Sequence, residues 1–358
     1  MAPNGPPDGP SSTTTMSFEE QLLPPLILHC HIPKTAGTTI SAGFRRSFEY
    51  LHIHHYHPDP YYILTRETLE SLVEIYPSLR SLSSHHLRSF PLRVGARPTF
   101  LVTFLRKPED AFISELRYVQ RRFLSLSEQT RSLWPKDTPR LTLRELARQY
   151  LDQEAANQDL CPQTRFLCNP ETAETFGLSD GNKKGLNNYE MAHQILTGFH
   201  FVGIVEEMKK SLEVLAGRLQ QCGTRVYFDH RLKLNTGQAS TPEWLTPEDE
   251  VGRRVLAASE NDMLLHRYFS AKLLESHTDL RKRSWLGVRP AIADAREAFT
   301  NGWQDGVQSL INSVSLYRLR QNDHAEHEIT LPLSADLLES RAAGAVADHL
   351  HFSNLVRP

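Results

Sequence analysis

Cysteine is scarce in this chain: four residues among 358, Cys30, Cys161, Cys168 and Cys222, with no Cys-x-x-Cys pair. That excludes a disulfide-built scaffold and a cysteine-ligated zinc module, and it leaves reduced structural thiols as the expectation, although Cys161 and Cys168 could close a short loop in an oxidising compartment. Long apolar runs are missing too. Nothing approaches the roughly 18 consecutive apolar residues of a membrane-crossing helix. Neither sign of charge dominates, since 40 Lys and Arg face 42 Asp and Glu for a formal net charge of −2. A nucleic-acid partner is therefore not expected, and any attraction for anions must be local. Residues 1–22 are rich in Pro, Gly, Ser and Thr and have neither a basic start nor an apolar stretch of signal-peptide length. They read as a disordered leader, and a cytoplasmic location follows as the expectation.

What the chain does have is an alternation of short apolar runs with amphipathic stretches. Leu26-Ile27-Leu28-His29-Cys30-His31-Ile32 ends at Pro33 and suits a buried parallel strand emptying into a loop. A helix is predicted next, with Thr38 and Thr39 as its starters and Ile40, Phe44 and Phe48 along one face. Thr99–Leu105 repeats the strand signal, and Arg106-Lys107-Pro108 then leads into a helix over 109–123. A third unit runs from a strand over 199–205 into a helix with Met208, Leu212, Leu215 and Leu219 that stops at Gly223. Val226-Tyr227-Phe228 reads as one more strand, and 248–270 as a long helix. The pattern predicts an α/β fold: a P-loop-like, mostly parallel sheet with helices on both faces and ligands gathered beyond the strands' carboxyl ends. The α/β domain is expected over 23–280, with 281–358 a mainly helical or irregular extension.

Pro33-Lys34-Thr35-Ala36-Gly37-Thr38-Thr39, between the first strand and its helix, has what a phosphate group needs: amides at a helix N-terminus, hydroxyl donors and one mobile cation. It is not a Walker A loop, because the lysine precedes the glycine and no earlier glycine opens the loop. An ordinary ATPase is thus disfavoured. His31–Thr39 resembles the 5′-phosphosulfate loop of the Golgi carbohydrate sulfotransferases, in particular the heparan sulfate 2-O and 6-O type. Arg106, with Ser114 eight residues on, resembles that family's 3′-phosphate site. An arginine fork and a hydroxyl meeting on one phosphate supply charge and geometry together. Weaker similarity continues through Phe201–Glu207 and through Leu234-Asn235-Thr236-Gly237, which resembles the family's loop closing over the nucleotide. Two departures stand out: Ala36 where glycine or serine is common, and Lys107 where an aspartate usually follows the arginine.

The resemblance implies the donor PAPS (3′-phosphoadenosine 5′-phosphosulfate), bound by residues 33–39, Arg106, Ser114 and Asn235 without a metal ion. It further implies a catalytic Lys34 and a base on the segment before the 3′-phosphate strand, where this chain has Ser83-Ser84-His85-His86. His85 ranks ahead of His86, and a histidine suits base work near neutral pH. The acceptor would be a hydroxyl compound, most simply an anionic saccharide, for which Arg117, Arg121 and Arg122 could form a basic rim. His52-Ile53-His54-His55-Tyr56-His57 is the most metal-like stretch, yet no carboxylate or cysteine completes a zinc site, and a polar strand or loop beside the acceptor groove is the favoured reading. An ATP-dependent phosphotransferase and a non-catalytic nucleotide-binding protein remain as alternatives.

Overall fold

The computed structural model describes residues 24–56, 62–88, 90–126, 128–132, 134–154, 162–168, 188–228, 241–285 and 328–330. In chain order these form β1 (Leu26–Cys30), α1 (Gly37–Phe48), β2 (His52–Tyr56), α2 (Arg66–Ile75), β3 (Ser81–Ser84), β4 (Arg93–Val94), β5 (Arg97–Leu105) and α3 (Pro108–Arg122). There follow α4 (Glu128–Ser132), α5 (Leu143–Glu154), α6 (Pro162–Leu167), α7 (Asn188–Thr197), β6 (Phe201–Ile204), α8 (Met208–Gln221), α9 (Glu250–Ala258), α10 (Glu260–Trp285) and β7 (Glu328–Thr330). The fold is α/β, as the alternation predicted. β2, β3, β1, β5 and β6 lie side by side and parallel, flanked by helices. β4 and β7 add antiparallel pairs to β5 and β2.

The apolar runs explain the centre of the sheet. Every residue of β1 is buried, and so is all of β5 except Pro98. Such strands can only sit between neighbours with helices over them. Ile40, Phe44 and Phe48 recur every four residues on α1 and are buried on one side. A second core is helical, with Phe112, Ile113, Leu116 and Val119 of α3 packing with Leu146, Ala147 and Leu151 of α5 and Val251 and Val255 of α9. α3 therefore has one face committed to that core and the other turned to the end of β1.

Chain direction sets where a ligand can go. From β1 the chain passes through α1 to β2, on one side; from β5, the strand next to β1, it passes through α3 and later helices to β6, on the other. Neighbouring strands whose connections part in this way open a crevice beyond their carboxyl ends. The two loops bordering it are residues 31–36 and Arg106-Lys107.

Several predicted elements differ. The helix expected over 248–270 is two helices broken at Ser259, and the second runs on to Trp285. Val226–Phe228 is not a strand: Tyr227 exchanges main-chain hydrogen bonds with Ser47 Oγ on α1, and the Phe228 ring packs on Phe44. Helix packing captured a segment too short to hold a sheet edge. Residues 328–330 of the extension, expected to be helical or irregular, pair with β2. The leader lies outside the described residues, as does Cys161; Cys30 and Cys222 are free thiols, and Cys168 Sγ lies 3.1 Å from the Asn188 carbonyl. No helix among the described residues is long and apolar enough to cross a membrane.

Candidate active site

The loop after β1 is held by local bonds and by unusual backbone. Thr35 donates through both its amide, at 3.4 Å, and its hydroxyl, at 2.8 Å, to the Ile32 carbonyl. Lys34 and Ala36 adopt φ of 64° and 62°, the left-handed region that disfavours any residue with a Cβ. Non-glycine residues held there cost on the order of 1–3 kcal/mol each and collect where ligands bind. Ala36, not Thr38 or Thr39, caps α1, and no side chain caps it. Its carbonyl takes the first helical bonds, from Thr39 and Ile40. The amides of Gly37 and Thr38 therefore precede any intrahelical acceptor and point out of the helix. Gly37 suits this position for a specific reason: a Cβ would lie 1.6 Å from Cδ2 of His31, whose ring lies against it and would have to move. Thr38 is exposed and Thr39 half-buried, with Pro33 exposed at the lip.

Across the crevice, Arg106 is held by its main chain. The Gln163 carboxamide accepts from the Arg106 amide at 2.9 Å and donates to its carbonyl at 2.8 Å. The next amide, of Lys107, donates to Glu206 at 3.0 Å, and the other oxygen of Glu206 lies 2.9 Å from Nε2 of His266. The Lys107 main chain is thus held by Glu206 from the turn after β6, and through it by His266 of α10. From this frame the Arg106 guanidinium donates to the Lys34 carbonyl at 3.2 Å. The strand-end arginine and the phosphate-type loop meet directly.

Lys34 Nζ lies 3.5 Å from Oε2 of Glu115 and 3.4 Å above the centre of the Tyr118 ring. Burial lowers the lysine's pKa, opposed by Glu115 and aided by the nearby charges of Arg121 and Arg106. Burial also raises that of Glu115 against the pull of Lys34. Ser114, half-buried, immediately precedes Glu115 on α3. Arg121 lies near enough to Lys34 to bias it and donates to the Arg117 carbonyl at 3.2 Å.

The two histidines after β3 part company. Nδ1 of His85 is 2.7 Å from the His31 carbonyl, and its ring stacks on that of His31 at 3.7 Å between centres. A carbonyl only accepts, so Nδ1 carries the proton and Nε2 is left as the acceptor nitrogen of the neutral ring. Burial holds the His85 pKa down to about 4, despite the opposing carbonyl bond and with help from the charges of His54, His86 and Lys34. His86 turns the other way: its Nδ1 is 3.0 Å from the Tyr62 carbonyl, and its ring meets those of Tyr62 and His55. Only His85 leans on the loop.

Beneath the loop lies a buried layer of imidazoles and hydroxyls. Ser41 of α1 is hydrogen-bonded to Nε2 of His52 at 2.9 Å and Nδ1 of His54 at 3.0 Å, so β2 does place those two on one face. His52 also meets Ser81, and His29 meets Ser83. Burial pushes the pKa of His29 down to about 3 and that of His54 to about 4. These buried rings are satisfied by serines of β3 and α1, not displayed beside a groove. Among the described residues no cluster of three or more His, Cys, Asp or Glu could hold a metal ion.

The structure thus brings Lys34, the Gly37 turn, Arg106 and His85 to one crevice, with Ser114 on the adjoining helix and His86 directed away. Asn235 lies outside the described residues. The sequence reading missed Glu115, Tyr118, Gln163, Glu206 and Asp262. Glu115 and Tyr118 could have been found from their places one and four residues after Ser114; the others join the site only through the fold. No protein-family model and no curated protein matches the chain.

Proposed function

We propose that the chain is a sulfotransferase that moves a sulfuryl group from PAPS to an acceptor hydroxyl of a carbohydrate. The observation that carries this reading is the 3.2 Å bond from the Arg106 guanidinium to the Lys34 carbonyl, which joins two separate anion-seeking groups at one crevice. A helix N-terminus with free amides and a lysine would suit one phosphate end; an arginine beside a serine-bearing helix would suit another. A donor with two separated anionic ends meets both.

Each residue then has a task. The amides of Gly37 and Thr38 and the hydroxyls of Thr38 and Thr39 bind the 5′ end. Arg106 and Ser114 bind the 3′-phosphate. His85, unprotonated at neutral pH and with Nε2 free to accept, takes the proton of the acceptor hydroxyl as its oxygen forms the new bond to sulfur. Lys34 meets the charge growing on the phosphate oxygen as the old sulfur–oxygen bond breaks. Such transfer depends chiefly on in-line positioning and charge stabilisation, which a rigid crevice supplies. Arg117, Arg121 and Arg122 offer an anionic saccharide its counter-charge.

Thermal unfolding with PAPS or ATP-Mg²⁺ in turn tests the reading. A ligand bound by the native state alone raises the melting temperature by mass action. Stabilisation by PAPS and not by ATP-Mg²⁺ is expected; the reverse would replace the sulfotransferase with a phosphotransferase.

A further inference from the structure

Arg106 stands one residue beyond β5, where the ladder to β6 has ended at Leu105 and Val205. Its amide and carbonyl have left the sheet and would otherwise need another partner. Both are taken by one side chain. The Gln163 carboxamide closes a two-bond ring on the Arg106 peptide, at 2.9 and 2.8 Å, as a neighbouring strand would. Gln163 is itself fixed at its main chain, since its amide donates to Oδ2 of Asp262 at 3.1 Å. The other oxygen of Asp262 accepts from the Thr164 amide at 2.8 Å and the Thr164 hydroxyl at 2.6 Å. A carboxylate on α10 thus caps α6 from outside, and α6 presents Gln163 to the arginine. Asp262 and Gln163 are each 1% exposed, so neither is placed to touch a ligand in the crevice.

A buried carboxylate is costly to keep, and packing alone would be served by apolar residues of the same size. An apolar residue at 163 would leave the Arg106 peptide unpaired and free to swing, and the guanidinium with it. We propose that Gln163, oriented by Asp262, is a positioning residue that aims Arg106 at the 3′-phosphate of the donor. This rests on the sulfotransferase reading and adds to it a chain of command from α10 to the anion site. Loosening the peptide of Arg106 should weaken the grip on one end of the ligand and spare the other.

The test uses the full chain with Gln163→Met, which keeps the bulk and removes both bonds, and Asp262→Asn, which keeps the shape but turns one of the two accepting oxygens into a donor facing the donors of α6. Affinities for adenosine 3′,5′-bisphosphate and for adenosine 5′-monophosphate are measured by titration calorimetry. The expected result is a loss of roughly tenfold or more for the bisphosphate, with the monophosphate changed less than about twofold, in whichever variant folds. Equal losses for both ligands, or none for either, would make Gln163 merely structural and overturn the proposal while leaving the sulfotransferase reading intact. If the wild-type chain binds neither nucleotide, the reading of the site falls and this inference falls with it.

Discussion

The two walls of the crevice are built on opposite plans. The loop after β1 takes its shape within a few residues, from Thr35 on Ile32 and two strained left-handed residues, and His85 and Arg106 reach its His31 and Lys34 carbonyls from afar. The Arg106 corner is held by Gln163 and Glu206, which stand 57 and 99 residues away from the residues they bind. One wall is strained and turns on its own residues; the other is assembled by the fold. A loop of the first kind can be read from a short stretch of sequence, because the residues that shape it are the candidate site residues themselves. A corner of the second kind shows only its tip.

If the walls differ in this way they should fail differently. Lys34→Ala is expected to lower turnover by about a hundred- to a thousandfold with donor affinity reduced far less, because the lysine's charge counts most as the leaving oxygen develops its own. Arg106→Ala should instead weaken donor binding by about 1.5–3 kcal/mol, the size of a charge-assisted hydrogen bond. Matching losses of affinity in the two variants would erase the distinction. The histidines sharpen the same contrast: His85→Ala should lose about 10²–10⁴ in kcat with donor binding kept, whereas His86→Ala, whose ring faces Tyr62, should retain turnover and lose mainly stability. Full activity in His85→Ala, read from initial rates, would assign the base elsewhere.

Sequence legibility divides along the same line. The apolar runs of β1, β5 and β6 and the four-residue spacing on α1 announced the sheet and its first helix, since burial on every side leaves few other arrangements. β3, Ser81–Ser84, was opaque as a strand because its polar residues are buried against the imidazoles of β1 and β2, a pairing visible only when the strands are aligned. His52 and His54 looked metal-like for the same reason. Lys107 raised doubt about the corner because its neighbour Glu206 is contributed from the end of another strand. Gln163 has nothing in its own surroundings to mark it; its role exists only where α6 meets β5 and α10.

Gly37→Ala probes the local wall at its tightest point. The added methyl would strike the His31 ring, and forcing apart a packed contact of this kind costs about 1–3 kcal/mol; denaturant unfolding measures it, and an unchanged midpoint would mean the ring is free to yield. Acid should act on the layer below. His29, His54 and His85 titrate at about 3, 4 and 4 in the folded chain, beneath the ordinary 6.5, so the unfolded chain binds more protons between those values. Stability is therefore full above pH 6.5 and falls as pH drops towards 4, by about 1.4 kcal/mol per pH unit for each imidazole. His31 and His52, held well below 6.5 by burial, add to the same trend, while Asp262, raised by burial from 3.8 to about 6, and Glu115, also raised by burial, work in the opposite sense over their own windows. Urea midpoints at pH 7, 6 and 5 should decrease in that order; a flat profile would mean the layer is open to water.

The central claim is that the two walls grip one ligand at two separated anionic ends. Titration of the wild-type chain with adenosine 3′,5′-bisphosphate, adenosine 5′-monophosphate and adenosine 3′-monophosphate asks this directly. The bisphosphate should bind at least about tenfold more tightly than either monophosphate, since each charge-assisted end contributes about 1.5–3 kcal/mol. A 5′-monophosphate that binds as tightly as the bisphosphate would contradict the claim, leaving the loop as a site for a single phosphate and Arg106 as part of its frame.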